Sequence, residues 1–223
     1  METVVYLIRH SVRMKGEMID TYNTSQSDLL KNEKIILSVS GEKRAEILSR
    51  EEELQNIDVL YTSNCVRTLQ TAKYMMESQN LKANIDSRFD ERRVGSDFSL
   101  NVSDWVVLQY TDSNFRPLGG ESQEEVRNRM YEALEEVVSA NKGKRIAIFS
   151  HGLAITFLLL KWCHLDSVSL DRKLVFSFRG REVFNKRINS PDVFKLVFDD
   201  DNNVLSIENI GFSDLDYEDF VNL

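Results

Sequence analysis

Residues Val4–Val12 read VVYLIRHSV, a run of apolar and β-branched side chains that passes directly into Arg9 and His10. Such a run, apolar on both faces, is the pattern of a strand buried inside a parallel sheet. In open α/β sheets ligands sit beyond the carboxyl ends of the strands, so a strand that ends in an Arg-His pair delivers reactive groups to that edge. A second run repeats the arrangement: Lys144–Phe149 is followed by Ser150, His151 and Gly152. The chain has 3 histidines, and two of them, His10 and His151, fall at matching strand ends. That placement reads as function, because a histidine serving only as surface polarity would fall on helix faces or in loops.

Working outward, strands and helices alternate as crossover units around a mostly parallel sheet. The pattern predicts a helix over about Val39–Glu53 entered at Ser38 or Ser40. A strand follows at Ile57–Tyr61, and then a helix capped from Thr62, Ser63 and Asn64, with Leu69, Ala72 and Met76 on its buried face. A short strand is expected near Ala83–Asp86. Ser122 and Glu125 have the spacing of a capping box, and Val126, Met130, Leu134 and Val137 continue the helix behind it. Val193–Phe198 and Val204–Ile210 flank Asp199–Asn203 as a hairpin at the sheet edge. Residues 92–118 lack a clear period and carry Trp105, Tyr110 and Phe115, which suits either a covering loop or a lid over a site.

The 223 residues, 42% of them hydrophobic, suffice for one core, so a single domain over 1–223 is expected. No apolar run approaches the roughly 18 residues of a membrane span, and the N-terminus does not have the build of a signal peptide. Cys65 and Cys163 have no disulfide or metal-ligand spacing and read as thiols of a reducing, cytoplasmic compartment. The net charge of -8 comes without a basic stripe, which argues against a nucleic-acid partner. The acidic runs at Glu51–Glu53 and 214–219 read as solvated surface. His164 beside Cys163 does not make a metal site, and Trp105 and Trp162 read as packing residues. Nothing in the pattern decides the oligomeric state.

Two strand-end histidines beside Arg9, Arg67 and Arg13 suggest a phosphate pocket, because guanidinium forks bind phosphate oxygens bidentately and stay charged. A neutral imidazole whose other ring nitrogen is held by an acceptor can attack phosphorus and become a phosphohistidine, splitting one displacement into two. A ring of cations stabilises the charge on the transferring group, so neither metal nor cofactor is required. A general acid must protonate the leaving oxygen and then take a proton from the attacking water; on the residues alone, Asp90 or Glu121 suits that role.

At this level of detail the chain resembles the histidine phosphatase superfamily, in the branch of the cofactor-dependent phosphoglycerate mutases and their phosphatase relatives. LIRHS resembles that family's first strand and Arg-His pair, and TSNCVRTLQTA its second phosphate-binding arginine at a helix start. FDERRVG resembles the acid/base segment, and GGES with SHGLAIT the later signature and second histidine. The resemblance spans most of the chain. It implies a three-layer α/β/α sandwich whose mostly parallel central sheet carries an antiparallel edge strand. It further implies His10 as nucleophile, Arg9 and Arg67 as phosphate ligands, His151 as a second and cationic ligand, Glu91 as proton donor, and a backbone N–H at Leu153 in the site.

The chain departs from the pattern at Ser11, where the branch has glycine or alanine, and at Arg13, whose spacing from Arg9-His10 is that of the acid phosphatase branch. Arg13 is therefore either a third guanidinium of the site or a loop residue. The mutase branch also carries a paired-arginine, proline-rich segment, whereas 101–118 holds only Arg116 and Pro117. A mutase must hold its intermediate away from water, which takes more binding groups than hydrolysis. The expected activity is thus metal-independent hydrolysis of a small phosphomonoester, with mutase chemistry and a non-catalytic phosphate-recognising module as the alternatives.

Overall fold

The computed structural model describes residues 1–14, 26–95 and 102–212, with the side chains of 26–29 and 102–103 left aside. Strand β1 (Thr3–Arg9) pairs in parallel with β4 (Arg145–Ser150), Val4 opposite Arg145 through Arg9 opposite Ser150. This register brings the two histidine-bearing strand ends side by side. Beyond β4 lie β2 (Val59–Thr62) and β3 (Ala83–Ile85), both parallel. On the other side of β1 runs the hairpin of β8 (Val193–Phe198) and β9 (Val204–Ile210). The order is β3-β2-β4-β1-β8-β9, a mostly parallel sheet with an antiparallel edge.

Each central strand buries both faces. Val5, Leu7, Ile146 and Ile148 pack into one cluster with Val126, Met130 and Leu134 of α5 (Gln123–Ala140) and Ile155 and Leu158 of α6 (Gly152–Leu159). Tyr6, Ile8, Ala147 and Phe149 pack into a second, with Leu48 of α2 (Val39–Leu48) and Ala72 and Met75 of α3 (Val66–Gln79). Two apolar layers around one sheet are the reason both strand sequences read as unbroken apolar runs. No helix among the described residues is long and apolar enough to cross a membrane.

The capping box at Ser122 and Glu125 forms with both reciprocal bonds and starts α5 at Gln123. The helix expected to reach Glu53 ends instead at Leu48, followed by a short 3-10 turn at Glu52–Leu54. There Ser49 Oγ bonds back to the Glu46 carbonyl, and Gln55 Nε2 donates to the carbonyls of Ser49 and Glu51, which turns the chain and sends Leu54 into the core. The strand expected at 57–61 forms at 59–62.

A second sheet of β5 (His164–Val168), β6 (Leu174–Phe178) and β7 (Arg181–Lys186) was not anticipated. Its signal was present: LVFSF and REVFNK are joined by Arg179-Gly180, both at positive φ, the two-residue hairpin turn that matches strand twist. Phe176 and Phe184 stack and are buried in the same core as Phe194. The segment read as a loop or lid contains α4 (Val102–Thr111), and its residues 96–101 lie outside the described residues. Gln123 Nε2 donates to the carbonyls of Gln109 and Tyr110 and so ties α4 to the start of α5.

Candidate active site

The backbone N–H of His10 donates to the Ser150 carbonyl, 2.9 Å, so the β1–β4 ladder itself fixes where the ring stands. Its Nδ1 lies 2.7 Å from the Ser11 carbonyl. A carbonyl only accepts, so Nδ1 carries the proton and Nε2 keeps its lone pair, with no partner among the described residues. Burial, reinforced by the charges of Arg67 and Arg9, holds His10 well below the usual imidazole range. The ring is therefore neutral, with a bare Nε2. Ser11 is fully buried, its N–H bound to Thr71 Oγ1, so a small side chain is needed beside His10.

His151 follows β4 as the residue before α6 and is fully buried, its ring centroid 5.2 Å from that of His10. Arg67 Nη2 donates to its Nδ1, 3.0 Å. Guanidinium has no acceptor, so Nδ1 is bare and the proton sits on Nε2, which donates to Ser63 Oγ at 2.8 Å. Ser63 passes its own hydrogen to Thr68 Oγ1, 2.8 Å, and Thr68 donates to the Cys65 carbonyl, 2.6 Å. This relay has a consistent donor and acceptor at each joint. The relay leaves the ring neutral where the resemblance implies a cation, and burial, followed by the charge of Arg67, depresses the His151 pKa well below the imidazole range. It also explains why Ser63 does not cap α3 as expected. The N-cap is Cys65, whose side chain makes no cap bond, because Ser63 is engaged with the histidine.

Arg67 leaves the first turn of α3 and is 2% exposed; its Nη1 donates to the Asn32 carbonyl, while Nε is buried without a partner among the described residues. Arg9 is anchored through Nη1 to the carbonyls of Ile188 and Asn189, and its Nε is likewise unpartnered. A Cβ on Gly152 would stand 3.2 Å from that Nε, so glycine lets the start of α6 close on the guanidinium. A buried guanidinium and a half-buried one, each with a donor unused among the described residues and each fixed by backbone carbonyls, have the character of an anion cradle. Arg13 is exposed on an isolated bridge to Leu37, and its charge is the weakest of the three arginines acting on His10.

Glu91 Oε1 accepts from the N–H groups of Arg92, 2.9 Å, and Ala154, 3.1 Å. The second donor belongs to the first turn of α6, where the helix favours negative charge. The helix N–H that holds the carboxylate is that of Ala154, one residue beyond the Leu153 N–H that the resemblance implies. Glu91 Oε2 has no partner among the described residues. Glu121 is held by its pairing: burial alone would raise its carboxyl, but Arg129 grips both oxygens and Arg93 N–H adds a third bond, so it lies below the carboxylate range. Asp90 is pushed up to about 6 by burial, yet one of its oxygens accepts from Asn64 N–H at 2.7 Å. Sequence reading missed Ser63 and Thr68, because a serine and a threonine after a strand are ordinary helix-start residues until the fold places His151 against them.

The model of the histidine phosphatase superfamily (branch 1) matches residues 5–175. A probable phosphoglycerate mutase of Yersinia enterocolitica is 28% identical over 164 residues, 70% of this chain and 72% of its own length. Phosphoserine phosphatase 1 of Hydrogenobacter thermophilus is 29% identical over 146 residues, 61% and 67% of the two chains. The crystal structure of the phosphoglycerate mutase from Bacillus anthracis superposes with a TM-score of 0.65 at 18% identity, covering 94% of this chain and 92% of that one. With its matched span enclosing both histidine-bearing strands, the chain belongs to branch 1 of the histidine phosphatase superfamily.

Proposed function

We propose that the protein is a phosphatase that hydrolyses a small phosphomonoester through a phosphohistidine on His10, without a metal or cofactor. The observation that carries this reading is the contact of His10 Nδ1 with the Ser11 carbonyl, which places the proton there and leaves Nε2 as a bare lone pair beside the buried Arg67 and the half-buried Arg9. Nε2 attacks phosphorus, the P–N bond forms and the P–O ester bond breaks, while the Glu91 carboxyl gives its proton to the leaving oxygen. Water then attacks the phosphohistidine, Glu91 as carboxylate takes its proton, and the P–N pair returns to Nε2 as phosphate leaves. Arg9 and Arg67 bind the equatorial oxygens through both steps, and His151, held between Ser63 and Arg67, keeps the Arg67 guanidinium in place. Arg13 adds long-range attraction for an anionic ester at the rim.

The phosphoserine phosphatase similarity supports hydrolysis of a small phosphorylated metabolite. The mutase similarity keeps phosphoryl transfer as the second reading, and recognition without turnover is the third. Two free, buried cysteines suit a reducing, cytoplasmic setting. The test is a panel of phosphomonoesters, including phosphoserine, sugar phosphates and phosphoglycerates, assayed with chelator for free phosphate and for isomerised product. Glu91→Gln is expected to slow turnover by about 10²- to 10⁴-fold and to accumulate acid-labile label on His10. Isomerised product without free phosphate would establish the mutase instead, and tight binding without either product would establish a recognition module.

A further inference from the structure

One side of His151 faces a set of groups that the proposed reaction does not use. The Cys65 thiol, an Asp90 carboxylate oxygen and a ring nitrogen of His151 all lie within 4.8 Å of one another. They come from three separate elements: the N-cap of α3, the segment before Glu91, and the end of β4. Cys65 is 1% exposed and its thiol takes no part in the helix cap. Asp90 uses Oδ1 for the Asn64 N–H, and its Oδ2 makes no hydrogen bond among the described residues.

We propose that Cys65, Asp90 and His151 form a binding site for a thiophilic divalent cation of the zinc class, and that its occupation inhibits the enzyme by withdrawing His151 from the phosphate cradle. The inhibitory consequence rests on the activity proposed above; the binding site does not. A tetrahedral ion with bonds of about 2.0–2.3 Å needs its ligand atoms roughly 3.3–3.7 Å apart, so these three have about 1 Å to close, within reach of side-chain rotation. A sulfur, an imidazole nitrogen and one carboxylate oxygen select zinc or cobalt over magnesium or calcium, which prefer oxygen alone. Three protein ligands leave the fourth position open.

Inhibition follows whichever ring nitrogen binds. If Nδ1 ligates, its lone pair is taken from Arg67 Nη2, which now donates to it at 3.0 Å. If Nε2 ligates, it gives up the proton it shares with Ser63, and that proton on Nδ1 would meet the Arg67 donor head-on. The Arg67–His151 bond is lost in both cases. As the metal–sulfur bond forms, the thiol proton passes to solvent and no group changes oxidation state.

The test titrates the full chain with cobalt chloride and follows the near-ultraviolet charge-transfer band of a cobalt thiolate, then displaces the cobalt with zinc chloride. Wild type is expected to show the band and Cys65→Ser to lack it, while Asp90→Asn weakens cobalt binding about tenfold or more. Phosphatase assays are expected to need about tenfold more zinc for half-inhibition in Cys65→Ser than in wild type, with basal turnover retained and inhibition reversed by chelator. No band in wild type, a band that survives Cys65→Ser, or equal zinc sensitivity of the two proteins would overturn the proposal. Because the cobalt band does not depend on turnover, it decides the site even if no phosphomonoester proves to be a substrate.

Discussion

The ends of β1 and β4 share a sequence pattern and lie in register, yet they yield two different histidines. His10 uses one ring nitrogen on the carbonyl next to it and keeps the other bare. His151 has both ring nitrogens engaged, one by Arg67 and one by Ser63, from a helix and a strand end far away in sequence. One ring keeps a bare nitrogen and the other is held at both, and the difference comes from the tertiary partners of His151. A neutral buried pair also avoids the like-charge repulsion that two imidazolium rings would meet beside Arg9 and Arg67.

The sharpest way to break this comparison is to exchange the roles. His10→Ala should reduce turnover by at least about 10³-fold and abolish labelling by radioactive phosphoester, with circular dichroism unchanged. Stable labelling in that protein would move the nucleophile to His151 and reverse the assignment.

Ser63→Ala probes the held ring. It removes the acceptor of His151 Nε2–H and leaves a buried donor without a partner, at a cost of about 1–3 kcal/mol in stability. We expect kcat/KM to fall about tenfold while label still forms on His10. A melting temperature and kcat/KM equal to wild type would show that the relay through Ser63 does not orient the ring.

The smallest effect expected is in acid. Both imidazoles have folded pKa values below the unfolded value of about 6.5, so on acidification the unfolded chain takes up protons first. Their contribution to stability is complete above about pH 6.5 and is lost as pH falls through the folded values. Asp90, raised to about 6, works in the opposite direction, since its protonated form is the one the fold prefers and its contribution fades as pH rises through that value. Thermal melts from about pH 8 to about pH 5 should therefore show a modest fall for wild type and a smaller one for His151→Asn. Parallel curves for the two proteins would mean that His151 is not held neutral.

Much of this arrangement can be read from the chain alone, and the physical reason differs from part to part. An unbroken apolar run specifies a strand buried on both faces, and Val4–Ile8 and Ile146–Phe149 are therefore legible, together with the residues at their ends. The capping box of α5 and the β8–β9 hairpin are legible because their bonds are local. The β5–β7 sheet escaped because its strands alternate weakly and pack by stacking aromatics against a distant core, although the Arg179-Gly180 turn marked one of its joints. The early end of α2 was also hidden, since it depends on Gln55 reaching back over the turn.

The sequence by itself determined the parallel sheet, the two strand-end histidines and the arginines near them, because burial periodicity and local hydrogen bonding act over a few residues. Only the tertiary structure decided which nitrogen of His151 carries its proton, that Glu121 is locked by Arg129 while Glu91 is held at the start of α6, and that Arg13 stands at the surface. The His151 proton and the seat of Glu91 depend on which donor meets which acceptor across some 60 to 90 positions of chain, as Ser63 and Arg67 meet His151 and Ala154 meets Glu91. No local pattern of residue types encodes such a meeting.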